Sequence, residues 1–183
     1  MIVDNPSYVP LRSTLAQALA GDDPAQARAL VAEELGRARE LGQPRGIGVA
    51  LRVQGLLEGG EAAIAQLDEA VETLQASPAR LELARALCDL GAAMRRGRRP
   101  SAAREPLREG LELAERSGAE ALARHARAEL LEARGLVEER DGPERHVQRG
   151  PVAKLLDPGR EAGLLVPGNL GADRSGDGLC GTT

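Results

Sequence analysis

Apolar residues over the first three quarters of the chain recur with a period near 3.6 residues, which is typical of amphipathic α-helices. Glycine and proline interrupt this period at intervals. The pattern predicts seven helices, at residues 11–20, 24–41, 44–58, 61–76, 78–96, 102–117 and 119–134. The chain is therefore predicted to be all-α.

Capping residues support these boundaries. Asp23 before Pro24 and Ser77 before Pro78 each place a side-chain N-cap ahead of a proline at the first helical position. Glycine falls where a helix would end in the left-handed conformation, at Gly21, Gly42, Gly59, Gly97 and Gly118. Helix starts and stops thus agree with the apolar period.

Apolar and small residues also recur at a longer spacing. Ala27, Val31, Glu34 and Leu35 recur 36 residues later as Ala63, Leu67, Ala70 and Val71, and a further 40 residues on as Ala103, Leu107, Gly110 and Leu111. The intervening helices match at Ala50, Leu51 and Gly55, then at Ala86, Leu87 and Gly91. Self-similarity at such a period predicts stacked helix pairs, since one pair cannot bury its own apolar stripe.

The copy that begins at Leu87 has the pattern L-x2-L-G-x2-M-x8-A-x3-L-x2-G, which resembles the tetratricopeptide repeat, with aliphatic residues in place of the aromatic ones. The resemblance implies a solenoid of antiparallel helix pairs. Small residues are expected where two helices touch. The predicted repeat-packing residues are Gly55, Ala63, Leu67, Leu87, Leu90, Gly91, Ala103, Leu107 and Gly110. The alternative is an irregular helix bundle with a chance similarity.

The composition changes at Gly135. Residues 1–135 contain 28 alanines, whereas residues 136–183 contain three, with nine glycines and four prolines. Such a segment buries too little apolar surface to offset the entropy of ordering it. We therefore predict a repeat domain at 1–135 and a disordered or non-native tail at 136–183, with a helical turn at 152–156.

Composition limits the classes of function. The net charge of −4 argues against a chain that mainly grips phosphate backbones. Phe and Trp are absent and Tyr8 is the only aromatic residue, so leucine and alanine must fill the core. No signal peptide or run of 18 apolar residues occurs, which predicts a cytoplasmic protein without membrane contact.

Motifs for cofactors, metals and catalysis are missing. The sole lysine, Lys154, follows no phosphate-binding glycine loop, and Cys88 and Cys180 lack metal-ligand spacing. His125 has no nucleophile or carboxylate fixed beside it by a recognisable motif, and the paired acids Glu33 and Glu34 are expected to be solvated or capping. We predict no catalytic residue, no cofactor, no metal and no enzyme, although an unrecognised site among the helices is an alternative.

Four arginines surround one predicted turn, namely Arg95, Arg96, Arg98 and Arg99. Guanidinium groups so placed could contact a phosphate or an acidic partner. They also follow a helix C-terminus, where cations complement the helix dipole. A solvated turn is the simpler interpretation, and binding of phosphate or nucleic acid is the alternative.

Residues 1–135 as a whole resemble the C-terminal helical-repeat region of large ATP-binding LuxR-family transcriptional regulators of actinobacteria. The resemblance includes the stretch "SPARLELARALCDLGAAMRRGRRPSAAREPLREGLELAERSG". That family joins an N-terminal ATPase, a helical sensor segment and a DNA-binding helix-turn-helix. No residue here matches the ATPase or the helix-turn-helix, so the resemblance implies a truncated or frameshifted fragment without direct DNA binding.

Two classes of function follow. The first is a non-catalytic module that binds a protein, a peptide or a small effector on its repeat surface, either as a sensor segment or as a stand-alone scaffold unrelated to transcription. The second is an enzyme. Exposed repeat ends would also allow homodimerisation through residues 1–20. We expect the interaction module.

Overall fold

The protein is all-α over the part of the chain that its computed structural model describes, which is residue 5 and residues 9–141. These residues belong to one compact unit, residues 1–144. The helices are α1 (Leu11–Leu19), α2 (Pro24–Glu40), α3 (Pro44–Leu57), α4 (Gly60–Gln75), α5 (Arg80–Arg96), α6 (Pro100–Arg116) and α7 (Glu120–Asp141). Over this part of the chain, the prediction of an all-α fold with seven helices is confirmed.

The predicted side-chain N-cap is present at Asp23 and absent at Ser77. The Asp23 carboxylate accepts a hydrogen bond from the Gln26 N–H at 2.9 Å, as an N-cap should. The hydroxyl of Ser77 instead accepts from the N–H of Ala79, only two residues later, at 3.2 Å. The prediction that α5 starts at residue 78 is therefore wrong by two residues, because Ser77 closes a tight turn rather than capping the helix.

Two of the five predicted left-handed glycines have that conformation. Gly42 and Gly118 have φ values of 60° and 66°. After α5 the left-handed residue is Arg98, with a φ of 60°, instead of the predicted Gly97. The Gly97 N–H still donates to the Ala93 carbonyl at 2.9 Å, so the chain leaves the helix one residue later than expected.

The last helix continues beyond its predicted end. We expected it to stop at residue 134, but α7 passes through Gly135 and ends at Asp141. A glycine inside a helix costs about 1 kcal/mol relative to alanine, which weakens a helix without ending it. The rest of the predicted tail, residues 142–183 with the expected turn at 152–156, lies outside the described residues.

The helix pairs α3–α4 and α5–α6 pack antiparallel through the glycines that the repeat predicts. A Cβ placed on Gly55 of α3 would lie 2.8 Å from Leu67 Cγ of α4 and 3.2 Å from the Ala63 carbonyl oxygen. A Cβ on Gly91 of α5 would overlap the Leu107 side chain of α6 and lie 3.1 Å from the Ala103 carbonyl oxygen. Two copies of the sequence pattern thus make the same helix–helix contact.

The other repeat residues lie in the core. Leu87, Leu90, Ala103 and Leu107 are buried, and a Cβ on Gly110 would come within 2.8 Å of the Cys88 sulfur. One apolar cluster extends from Leu35 on α2 through α3, α4, α5 and α6 to Ala123 on α7. Leucine and alanine fill this core, as the absence of Phe and Trp requires.

The helices form two layers. The backbones of α1 and α3, of α3 and α5, and of α5 and α7 approach each other closely. Those of α2, α4 and α6 approach only their sequence neighbours, although Arg39 of α2 and Glu69 of α4 form an ion pair. Arg45 and Arg52 on α3 pair with Glu82 and Asp89 on α5, each 37 residues later, so these two odd-numbered helices run parallel. The surface formed by α1, α3, α5 and α7 is the odd-helix face.

Candidate functional site: a cavity on the odd-helix face

A cavity of about 400 Å³ lies where the four odd-numbered helices meet. Each helix supplies at least one lining residue: Pro10, Ser13, Thr14 and Gln17 from α1 and the residue before it, Val49 and Arg52 from α3, Glu82, Arg85 and Asp89 from α5, and Leu122 from α7. The volume lies within the range of small-molecule and peptide-anchor sites. Polar side chains from separate helices thus converge on one space.

The α5 wall of the cavity carries alternating charge. Glu82, Arg85 and Asp89 are spaced three and four residues apart, so their side chains lie on one face of the helix. Arg85 Nη1 lies 2.9 Å from Glu82 Oε1, and Arg52 Nη1 donates to Asp89 Oδ2 at 2.6 Å. The α5 wall, together with Arg52 of α3, therefore presents two guanidinium–carboxylate pairs held by hydrogen bonds.

The opposite wall, on α1, carries hydroxyl and amide groups. Thr14 donates its hydroxyl to the Pro10 carbonyl at 2.9 Å, and the Gln17 amide donates to the Ser13 carbonyl at 3.2 Å. Thr14 and Gln17 are exposed. Their oxygen atoms retain acceptor capacity after these bonds, because a hydroxyl and an amide oxygen each have two lone pairs. This wall can therefore accept hydrogen bonds from a ligand.

A buried carboxylate fixes the α1 wall. Glu34 of α2 is only 1% exposed, and it accepts hydrogen bonds from the N–H of Arg12 at 3.2 Å and from the N–H of Ser13 at 2.7 Å. It also accepts from the Ser13 hydroxyl. These N–H groups belong to the first turn of α1, whose N-cap position is Pro10 and offers no side-chain cap. Glu34 therefore replaces the missing cap and joins α1 to α2.

Of the four arginines at the turn after α5, two form ion pairs with other helices and two are exposed to solvent. Arg95 Nε donates to Glu129 Oε2 on α7 at 2.6 Å, and Arg99 Nη2 donates to Glu61 Oε2 on α4 at 2.7 Å. Arg96 and Arg98 are exposed. The sequence placed these four arginines together, but Arg95 and Arg99 each join their turn to a different helix, whereas Arg96 and Arg98 face solvent.

Groups with reactive chemistry lie apart from the cavity. Cys88 is buried, and desolvation, followed by the charges of Asp89 and Glu129, raises the pKa of its thiol to about 12. A thiol of this kind remains protonated and is a poor nucleophile. His125 is exposed on α7. Among the described residues, no group of three or more His, Cys, Asp and Glu side chains could hold a metal ion.

The cavity residues were not identified in the sequence. Two features of the sequence could have indicated them. Glu82, Arg85 and Asp89 have the spacing of one helix face, and Arg52 lies one repeat length before Asp89. Both features look like ordinary solvated charge until the odd-numbered helices are known to be neighbours. The arginine turn stood out instead because its four charges are adjacent in the chain.

Comparison of the chain with protein-family models, with curated proteins and with solved structures finds no match. None of the helices over the described residues is both long enough and apolar enough to cross a lipid bilayer.

Proposed function

We propose that the repeat helices form a non-catalytic module that binds a peptide or a small polar effector in the cavity of the odd-helix face. The observation that carries this proposal is the convergence of α1, α3, α5 and α7 on one cavity with polar walls. A ligand there would be read by several repeats at once, which is how stacked helical repeats recognise their partners.

The chemistry of the walls indicates the class of ligand. The α3 and α5 side offers two ion pairs, and the α1 wall offers Thr14 and Gln17 as neutral hydrogen-bonding groups. A molecule with both donors and acceptors, such as a peptide backbone with its ends or a zwitterionic metabolite, can complement both walls. A strongly anionic ligand would gain less, since each guanidinium already faces a carboxylate.

The helical architecture supports a tetratricopeptide-like solenoid as the scaffold of this module. Gly55 and Gly91 make equivalent contacts in successive helix pairs, and the odd-numbered helices line one side. Within this proposal, the segment corresponds to the effector-sensing repeats of LuxR-family ATP-dependent regulators, on the strength of the residue pattern alone. A stand-alone scaffold with the same cavity is the alternative.

The test uses the full chain as the target of a random peptide display selection and of a screen of small polar metabolites for thermal stabilisation. Each ligand found is then titrated against wild type, Arg85→Ala and Arg39→Ala. Both arginines are ion-paired on the surface, Arg85 with Glu82 at 2.9 Å and Arg39 with Glu69 at 3.1 Å. Only Arg85 lines the cavity.

We expect Arg85→Ala to weaken binding by about tenfold, the effect of losing one charge-assisted hydrogen bond, and Arg39→Ala to leave the affinity unchanged. Ligands that bind both variants as tightly as wild type would contradict the proposed cavity. Conversion of a bound ligand into a new product, detected by mass spectrometry, would contradict a non-catalytic role.

A further inference from the structure

Helix α1 is attached to the other helices with little burial of large apolar side chains. Leu11 and Leu15 are 61% and 46% exposed, and the buried positions belong to the small residues Ser13 and Ala16. Burial of a small side chain removes less apolar surface from water than burial of a leucine does. The docking of α1 therefore depends less on apolar packing than that of α5, which buries three leucines.

The apolar contacts of α1 are also separate from the main core. Ala16 belongs to a small cluster with Ala27 and Val31 of α2 and Val53 of α3. The described residues of the main cluster, which extends from α2 to α7, include none of α1. Among the described helices, the backbone of α1 approaches only those of α2 and α3. Helix α1 can therefore undock without disturbing the main cluster.

Polar contacts with α2 hold the N-terminal end of α1. The Glu34 carboxylate accepts the N–H groups of Arg12 and Ser13 at 3.2 and 2.7 Å. The Arg12 guanidinium lies 3.3 Å from the carboxylate of Glu33. The other end of α1 continues directly into α2 through the short turn at residues 20–23. One end of the helix is thus held by hydrogen bonds that can break, and the other by a covalent turn.

Helix α1 forms one wall of the cavity on the odd-helix face. Ser13, Thr14 and Gln17 line the cavity from α1, and Arg85 lines it from α5. These α1 residues lie between the end bound by Glu34 and the turn at residues 20–23. Movement of α1 about this turn would carry its wall away from α5 and widen the cavity.

We propose that α1 is a hinged lid on the cavity. Release of its first turn from Glu34 lets α1 move about residues 20–23, while the other six described helices stay folded. The role of a lid rests on the ligand site proposed above, whereas the opening of α1 does not. A ligand that contacts α1 and α5 together would bind the closed form and would shift the equilibrium toward it.

Hydrogen exchange of the full wild-type chain, at several urea concentrations below the unfolding transition, measures this opening. Relative to their intrinsic rates, we expect the α1 amides to exchange about a hundredfold or more faster than those of α5. Their exchange should depend little on urea, because the opening of one helix exposes little surface. Equal protection and equal urea dependence in α1 and α5 would overturn the proposal, and so would α1 amides without any protection, since α1 would then not be closed.

Thiol labelling separates movement of the whole helix from fraying of its ends. In a chain that carries Cys88→Ala and Cys180→Ser, Val53→Cys places a thiol in the small cluster with Ala16, and Ala84→Cys places one in the main cluster. Both native side chains are 0% exposed. We expect the thiol at position 53 to react about tenfold or more faster than the thiol at position 84, because only the first needs α1 to undock. Equal rates would overturn the proposal.

Substitution of Glu34 tests what holds the lid closed. Glu34→Ala should raise the labelling rate at position 53 by about tenfold, since two backbone N–H groups lose their acceptor. The matched control is Glu69→Ala, which removes an exposed ion pair between α2 and α4 and should change that rate by less than about twofold. Equal effects of the two substitutions would overturn the role of Glu34.

The lid and the ligand site can fail separately. Opening of α1 in a protein that binds none of the peptides or metabolites tested above would contradict the proposed binding function and would leave the hinged helix in place. Ligand binding by a protein whose α1 exchanges together with α5 would contradict the lid and would support a rigid cavity.

Discussion

The carboxylate of Glu34 accepts the backbone N–H of Ser13 at 2.7 Å, across 21 residues of chain, and it is buried while doing so. A helix normally receives its N-terminal cap from the residue just before it. Pro10 occupies that position in α1 and provides no side-chain cap, so the cap comes from the neighbouring helix. One residue thus stabilises the first turn of α1 and its attachment to α2.

We predict that Glu34→Ala lowers the free energy of unfolding by about 1–3 kcal/mol, since it leaves the N–H groups of Arg12 and Ser13 buried or half-buried without an acceptor. Urea denaturation measures the loss, and hydrogen exchange should show that protection falls first in α1. Glu33→Ala is the matched control, because the Glu33 side chain that pairs with Arg12 and Arg37 is 49% exposed. It should cost less than about 1 kcal/mol. Equal losses in the two variants would contradict the capping role.

Substitution by alanine should change the stability of the protein in opposite directions at the buried Gly91 and the exposed Gly36. A Cβ on Gly91 would overlap Leu107 and approach the Ala103 carbonyl oxygen to 3.1 Å, so Gly91→Ala should destabilise the fold by about 1–3 kcal/mol. Gly36, on α2, has no atom within 4 Å of a built Cβ. Gly36→Ala should stabilise by about 0.5–1 kcal/mol, because alanine favours the helix. Thermal melts of both variants decide the matter, and a stabilising Gly91→Ala would refute the close helix contact.

The Cys88 thiol should make stability fall at alkaline pH. Burial raises its pKa from an ordinary value of 9.0 to about 12, so between these values the folded chain keeps a proton that the unfolded chain has released. The contribution is complete below pH 9 and is lost as the pH rises toward 12. The urea midpoint of wild type should therefore drop more steeply above pH 9 than that of Cys88→Ala. Parallel curves for the two proteins would contradict this linkage.

The burial of Cys88 also predicts that its thiol reacts slowly with thiol reagents. In a Cys180→Ser background Cys88 is the remaining cysteine. A thiol reagent at mildly alkaline pH should leave Cys88 unmodified in the folded protein and should modify it as urea unfolds the chain, because reaction requires an accessible thiolate. Rapid modification of the native protein would show that α5 opens locally at Cys88.

The apolar periodicity predicted the helices well, because the residues that repeat along one face of each helix are also the residues that the core buries. Leu87 and Leu107, for example, are both buried as the repeat pattern requires. The caps were harder to predict. Ser77 precedes a proline as Asp23 does, yet its hydroxyl closes a turn instead of capping α5. Alternative hydrogen bonds of similar energy compete at such positions, so sequence spacing does not decide between them.

The cavity could not be predicted from the sequence, since its residues come from four helices and their approach depends on how the layers pack. Glu34 shows the same limit. Its position in the repeat is taken by Ala70 and Gly110 in the later copies, so a buried acid there looks like an exception. Only the proximity of the uncapped α1 explains it. Long-range partners of this kind are fixed by tertiary contacts rather than by local pattern.

The ion pair between Arg95 and Glu129 should contribute more to stability than the neighbouring pair on the same arginine. Glu129 Oε2 lies 2.6 Å from Arg95 Nε and its side chain is nearly buried, and this hydrogen bond raises the pKa of Arg95 above its usual value. Glu132 Oε2 lies 2.8 Å from Arg95 Nη1, but its side chain is 58% exposed. Glu129→Gln should therefore cost about 1–3 kcal/mol in urea denaturation, because the guanidinium loses its best-desolvated partner, and Glu132→Gln should cost less than about 1 kcal/mol. If Arg95 served an external anion instead, both substitutions would be nearly neutral for stability, and Glu129→Gln would increase binding of inorganic phosphate.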